Sequence, residues 1–214
     1  MRHVNMETWP RREHFRVINS WDYPHFNLCA NVDVTAFYPA VKQRAVSFTV
    51  ATVYLLARAA NSIREFRYRV RAGEVVEHDI VHPSTTILAD DELFSFCTIE
   101  YSKDFSIFAA RAAERIAHVK EHPTLEDEPG RDDLLYITSM PWVSFTGCVH
   151  PIHLHPVDSV PRFAWGKFFE EGKSLKMPLS VQAHHALMDG IHMAKFYAEV
   201  QDYLQHPEVV LGQV

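Results

Sequence analysis

Between residues 25 and 37 the chain reads HFNLCANVDVTAF, with Phe26, Leu28, Ala30, Val32 and Val34 at alternate positions. That period of two puts all five on one face and predicts a half-buried strand. At residue 47 the period changes: SFTVATVYLLARAANSIREF (47–66) sets Val50, Val53, Tyr54, Ala57 and Ala60 on one helical stripe. In YRVRAGEVVEHD (68–79) a glycine parts two valine-containing runs, which predicts a hairpin. STTILADDELFSFCTIEY (84–101) predicts extended segments around an acidic turn. Asp104 precedes FSIFAARAAERIAHVKEHP, a helix that stops near Pro123. The polar run EHPTLEDEPGRDD (121–133) predicts a mobile surface loop. Four further strands are predicted, over 134–145, 147–156, 162–171 and 176–185, the last two joined at Gly172. After Asp189-Gly190, IHMAKFYAEVQDYLQH (191–206) is an amphipathic helix ended by Pro207. The Phe108/Ile116 and Phe196/Val200/Leu204 helix faces belong to the expected core.

Strands and helices mix here without strict strand–helix–strand alternation. That predicts an α/β fold with a mixed or antiparallel sheet and helices packed on it. No repeat or low-complexity linker divides the chain, so a single domain over 1–214 is expected. A hydrophobic share of 47% in 214 residues suits a sizeable core. The formal net charge is −6 and no long basic run occurs, which argues against a nucleic-acid surface. No stretch of ~20 apolar residues predicts a membrane span. The start, MRHVNMETWPRREHF, lacks the apolar run of a secretory signal. Cys29, Cys97 and Cys148 are odd in number and far apart, which predicts free thiols in a reducing cytoplasm.

The candidate chemistry lies in QAHHALMDG (182–190), where His184 and His185 stand just ahead of Asp189 and Gly190. The apolar strand PLSVQA runs into the pair, and the last helix starts just beyond, so the pair sits at a strand-to-helix junction that can rim a cleft. An imidazole there, with an ordinary pKa of ~6.5, suits removal of a proton from a hydroxyl. Two hydrogen-bonded, partly buried histidines in a chain that holds 14 are the other reading of the same residues. HPIHLH (150–155) invites a metal reading, but no carboxylate or cysteine nearby completes a set with His150, His153 and His155, so no metal is expected.

Several blocks together resemble the chloramphenicol acetyltransferase family over nearly the whole length. They are Trp9 followed by RREHF (11–15), ELFSF (92–96), EYSKDF (100–105), PWVSFTG (141–147), WGKFFEEG (165–172) and MPLSVQAHHALMDGIH (177–192). The resemblance implies the family's two-layer α/β fold and direct acetyl transfer from acetyl-CoA to a hydroxyl, with no tightly bound cofactor. It implies that His185 is the general base and that Asp189 pairs with Arg11 to fix the loop carrying it. Thr138 matches the family's oxyanion serine, and Lys167 a lysine near the CoA phosphate. Each keeps a plain structural alternative: an exposed ion pair, a strand-favouring threonine, a surface lysine. Where the family often carries threonine and tyrosine around that lysine, this chain has Ala164 and Phe168.

Phe26, Phe94 and Ile152 fit the family's apolar acceptor pocket, while Cys148, His150 and Arg162 make one wall polar. The resemblance further implies a homotrimer with active sites between subunits, and a role in antibiotic resistance if chloramphenicol is the acceptor. Two alternatives stand beside it: an acetyltransferase for a more polar hydroxylated acceptor, and a non-catalytic acyl-CoA-binding relative.

Overall fold

Period-two segments gather into one large mixed sheet, and the helical segments cover one of its faces. The computed structural model describes residues 1–89, 92–125 and 130–212. The first half of the chain forms β1 (Arg2–His3), α1 (Arg12–Ile18), β2 (His25–Asp33), α2 (Phe37–Gln43) and α3 (Phe48–Ser62). A 3-10 turn (Arg64–Arg67), β3 (Tyr68–Arg71), β4 (Glu74–Glu77), β5 (His82–Leu88) and β6 (Phe94–Thr98) follow. Beyond them lie α4 (Phe105–Glu121), β7 (Leu134–Met140), β8 (Arg162–Gly166), β9 (Phe169–Glu171), β10 (Ser174–His184), α5 (Gly190–Gln205) and α6 (Pro207–Leu211).

The large sheet has the order β2-β10-β8-β7-β5-β6, with β9 paired to the start of β10. β5, β7 and β8 run parallel, whereas β10 is antiparallel to both β2 and β8. A small sheet, β1-β4-β3, stands apart. Its β3–β4 hairpin turns at Ala72 and Gly73, with φ of 49° and 81°. Two successive left-handed residues match the twist of the flanking strands, and glycine takes the second position without strain.

The two faces of the large sheet differ in chemistry. Leu179, Val181, Ala183, Phe163, Trp165, Leu135 and Ile137 are buried on the helix side. There α3 packs against α4, α5, β5 and β7. The predicted stripe of α3 is buried, but so are Ala51, Thr52, Leu55, Leu56 and Ala59. A helix enclosed on every side needs apolar residues all round, so a single stripe understates it. Strand register puts Asn27, Cys29, Ser180, Gln182, Arg162, Tyr136, Thr138, Ser84 and Thr86 on the opposite, mostly polar face.

Several predicted elements are corrected. Residues 147–156 form no ladder strand, only a bridge between Leu154 and Val157. This segment lies across the polar sheet face and satisfies its backbone with side chains. The Cys148 carbonyl accepts from Asn27 Nδ2 at 2.8 Å and Ser180 Oγ at 2.9 Å, and His150 N–H donates to Gln182 Oε1 at 2.7 Å. Pro151 and Pro156 have no N–H to offer a ladder. The strand expected over 134–145 ends at Met140, and that expected over 162–171 breaks at Lys167-Phe168. Pro207 opens the short helix α6, a first-turn position that suits proline. The small sheet's β1, and α1, α2 and α6, were not predicted. The acidic turn at Asp90-Asp91 and residues 126–129 of the predicted mobile loop lie outside the described residues. No helix among the described residues is long and apolar enough to cross a membrane.

Candidate active site

β10 delivers the two histidines to the end of the sheet. His185 N–H donates to Pro24 O at 2.7 Å, which extends the β2–β10 pairing by one step. The backbone then turns, and Asp189 caps the start of α5. The His185 ring lies 4.6 Å from that of Phe26 at 38°, and its side chain is 35% exposed. Its Nδ1 is 3.0 Å from Met188 O and 3.2 Å from Asp189 Oδ1. Both are acceptors only, which assigns the proton of the neutral ring to Nδ1 and leaves the lone pair on Nε2.

Arg11 gathers this turn from below. Its Nε donates to Ala186 O at 2.9 Å, and its Nη2 to His185 O at 2.7 Å and Asp189 Oδ1 at 2.7 Å. Nη1 closes a bidentate pair on Asp189 Oδ2. The Arg11 side chain is 12% exposed. Its hydrogen bond holds the Asp189 carboxyl below the usual range, against a smaller opposing effect of burial.

His184 faces the other way and is 1% exposed, with its ring 5.1 Å from that of His25. Burial pushes its pKa down to about 3, and neither ring nitrogen has a partner among the described residues.

The remaining candidates spread across the sheet. Thr138 Oγ1 lies 2.8 Å from Thr86 Oγ1, and the register sets Thr138 beside Ala164 and Ala164 beside Ser180. His185 is therefore five residues along and two strands across from Thr138. That is about 16 Å by about 10 Å, or roughly 19 Å, at ~3.3 Å per residue and ~4.8 Å per strand. Phe94, 49% exposed on β6, is further still along the strand order. Of the six pocket candidates, Phe26 packs its ring against His185 within the same chain.

Cys148, His150 and Ile152 lie half-buried in the segment over the polar face. His150 has its pKa pushed down to about 4, by burial first and then by the charge of Arg162. Its Nε2 lies 3.9 Å from Cys148 Sγ. Arg162 is buried; it donates to Val160 O at 2.8 Å, pairs with Asp158 and stacks over Tyr136 at 5.1 Å. Its charge is thus matched within the chain.

Lys167 is exposed; its N–H donates to Val143 O at 2.9 Å, and its carbonyl accepts from Ser144 Oγ at 2.6 Å. Phe168 packs on Tyr38 and Phe48, with ring centroids at 5.0 and 6.2 Å, and Ala164 is buried. Among the described residues no group of three His, Cys, Asp or Glu side chains is placed to hold a metal. Sequence reasoning missed Asp158, Glu65 and His192. The last had a readable signal, since it stands at the third position of α5, where a capping-box partner belongs.

A mixed sheet with this junction at its end is an acyltransferase architecture. A solved dihydrolipoamide acetyltransferase from Azotobacter vinelandii shares the fold at TM-score 0.64 and 21% identity, over 88% of this chain and 84% of that one. A solved chloramphenicol acetyltransferase superposes with TM-score 0.85 at 25% identity, covering 95% of this chain and 99% of that one. The profile of the chloramphenicol acetyltransferase family matches residues 1–201. A chloramphenicol acetyltransferase of Escherichia coli is 32% identical over 203 residues, 94% of this chain and 92% of the relative. One from Clostridium perfringens is 27% identical, over 98% of this chain and 97% of that protein. The chain belongs to the chloramphenicol acetyltransferase family and is an acyltransferase.

Proposed function

We propose that the protein is one domain over 1–214 that transfers acetyl from acetyl-CoA to a hydroxyl, with His185 as general base. One observation carries the proposal: Nδ1 of His185 is tied to an acceptor, so Nε2 is left as a proton acceptor on a part-exposed ring. Nε2 takes the proton of the acceptor hydroxyl while its oxygen attacks the thioester carbonyl. The tetrahedral oxyanion accepts a hydrogen bond from a Thr138 hydroxyl. Collapse breaks the carbon–sulfur bond, and the imidazolium returns its proton to the departing thiolate. Arg11 and Asp189 hold the loop, and Lys167 binds a phosphate of CoA.

The separation of roughly 19 Å between Thr138 and His185, from the strand spacings above, supports a site shared between chains. We assign His185 and Phe26 to one subunit and Thr138 and Phe94 to its neighbour in a homotrimer. Exposed Leu88, Phe94, Trp142, Val143 and Val149 supply apolar surface for that contact. The free thiols fit a reducing cytoplasm.

Chloramphenicol is the first acceptor to try, and a resistance role follows if it is acetylated. A more polar hydroxylated acceptor is favoured by His150, since a half-buried imidazole faced by an apolar guest alone is costly.

The test mixes two variants. His185→Ala should lose turnover by at least ~10²-fold, in line with positioned base catalysis, and Thr138→Ala should lose about as much, as for a lost oxyanion donor. Refolded together, they should regain activity, because some sites then combine an intact His185 with an intact Thr138. Unchanged turnover in His185→Ala removes the base assignment and leaves the acyl-CoA-binding alternative. Failed complementation removes the shared site. Chloramphenicol and a series of sugars and amino sugars, assayed with acetyl-CoA and a thiol reagent, decide the acceptor.

A further inference from the structure

One peptide plane joins two histidines. The Met188–Asp189 amide offers its carbonyl to His185 Nδ1 at 3.0 Å and its N–H to His192 Nδ1 at 2.9 Å. The amide is planar, so tilting it to suit one ring disturbs its bond to the other. Because His192 Nδ1 accepts, the neutral ring of His192 carries its proton on Nε2. That nitrogen lies 3.4 Å from Oε1 of Glu65, in the 3-10 turn Arg64–Arg67. A carboxylate only accepts, so Glu65 selects this tautomer of His192. His192 stands at the third helical position, and its imidazole accepts the N–H of the N-cap residue Asp189 as one half of a capping box.

The surroundings favour a neutral His192, whose side chain is 15% exposed. Burial, Arg11 and Lys195 lower its pKa, while Glu65 and Asp189 oppose them. A protonated ring would point a second donor at the Asp189 N–H and break the link. A solvent-open cavity of about 350 Å³, lined in part by Trp9, His14, Tyr68, Glu65 and His192, adjoins the ring. Water can occupy it when the ring is cut back, so truncation need not collapse the core.

We infer that Glu65 and His192 are positioning residues for His185, acting through the Met188–Asp189 amide. The relay fixes the proton on His185 Nδ1 and keeps Nε2 as the acceptor. It rests on the proposed role of His185 as base, but its first readout needs no substrate.

That readout is the ring tautomer, from ¹⁵N spectra of the intact protein labelled at histidine. In the wild type, His185 should show one Nδ1–H form. In His192→Ala, and in Glu65→Gln, whose amide can donate or accept, an Nε2–H form should appear. His192→Gln, which offers an acceptor to Asp189 N–H and a donor to Glu65, should restore the wild-type spectrum. With the acceptor found above, kcat should fall about tenfold in His192→Ala, the scale of one orienting hydrogen bond, with KM within about twofold. The double variant Glu65→Ala/His192→Ala should cost no more than His192→Ala alone. An unchanged His185 tautomer in both single variants overturns the relay. So does a His192→Gln protein that folds yet matches His192→Ala. If His192→Ala fails to fold, Glu65→Gln decides alone. Failure of the base reading would show separately, as full turnover in His185→Ala.

Discussion

Arg11 sits 174 residues from the loop it holds, yet four of its hydrogen bonds end on residues 185–189. Replacing it with methionine keeps the stem's packing and removes the fork. Asp189 then keeps a charge without its main partner. A fully buried lone charge would cost ~3–5 kcal/mol; with Asp189 35% exposed, about 2 kcal/mol is expected. For a chain of this length that lowers Tm by roughly 5 °C, measurable by differential scanning fluorimetry. The Arg11–Asp189 pair was legible in the sequence because a short motif and an N-terminal block resemble known ones. Glu65 was not, because its link to His185 passes through a backbone amide, and a motif of side chains has no sign for that. Arg162 was read as part of a polar wall, but its partner Asp158 went unseen, since four-residue spacing carries no signal in an irregular segment.

Among the elements, the strongly periodic ones were readable: β2, α3, the β3–β4 hairpin, α4, β10 and α5 all lie where the pattern put them. The error at 147–156 has a physical cause. Its residues alternate like a strand, but their partners are Asn27, Ser180 and Gln182 side chains, which alternation cannot reveal. The end of β8 is similarly constrained. A Cβ at Gly166 would lie 2.7 Å from Val143 O, 2.8 Å from Pro178 Cγ and 3.0 Å from Phe145 Cδ1. Gly166→Ala should therefore push the 141–145 segment off the sheet and cost about 2 kcal/mol, as overpacking does. Thermal denaturation checks the loss, and a Tm within 1–2 °C of wild type would mean the segment yields freely.

At the scale of the whole molecule, buried imidazoles set the response to acid. His184 and His150 are held near pKa values of about 3 and about 4, and burial also lowers His25, His82 and His192. Unfolded, each takes up a proton near pH ~6.5, whereas folded it refuses one until the pH is lower, for His184 and His150 far lower. The stability is thus complete above that value and drains as pH falls, by up to ~1.4 kcal/mol per unit for each group, until the folded value is passed. Tm should drop steadily from pH 6.5 toward 4, and His184→Gln should flatten that slope; a Tm constant over this range would refute the account. The mixed character of the sheet was legible from the mixture of periods, but strand order was not, because it depends on partners far apart in sequence. Among the described residues β2 pairs only with β10, whose first residue lies more than 140 positions later. On the ribosome, then, β2 emerges with nothing to zip against, and one flank of α3 waits for α5 to arrive. Nearly the whole chain must leave the exit tunnel before the sheet can be completed, so chaperones have their longest opportunity during synthesis itself.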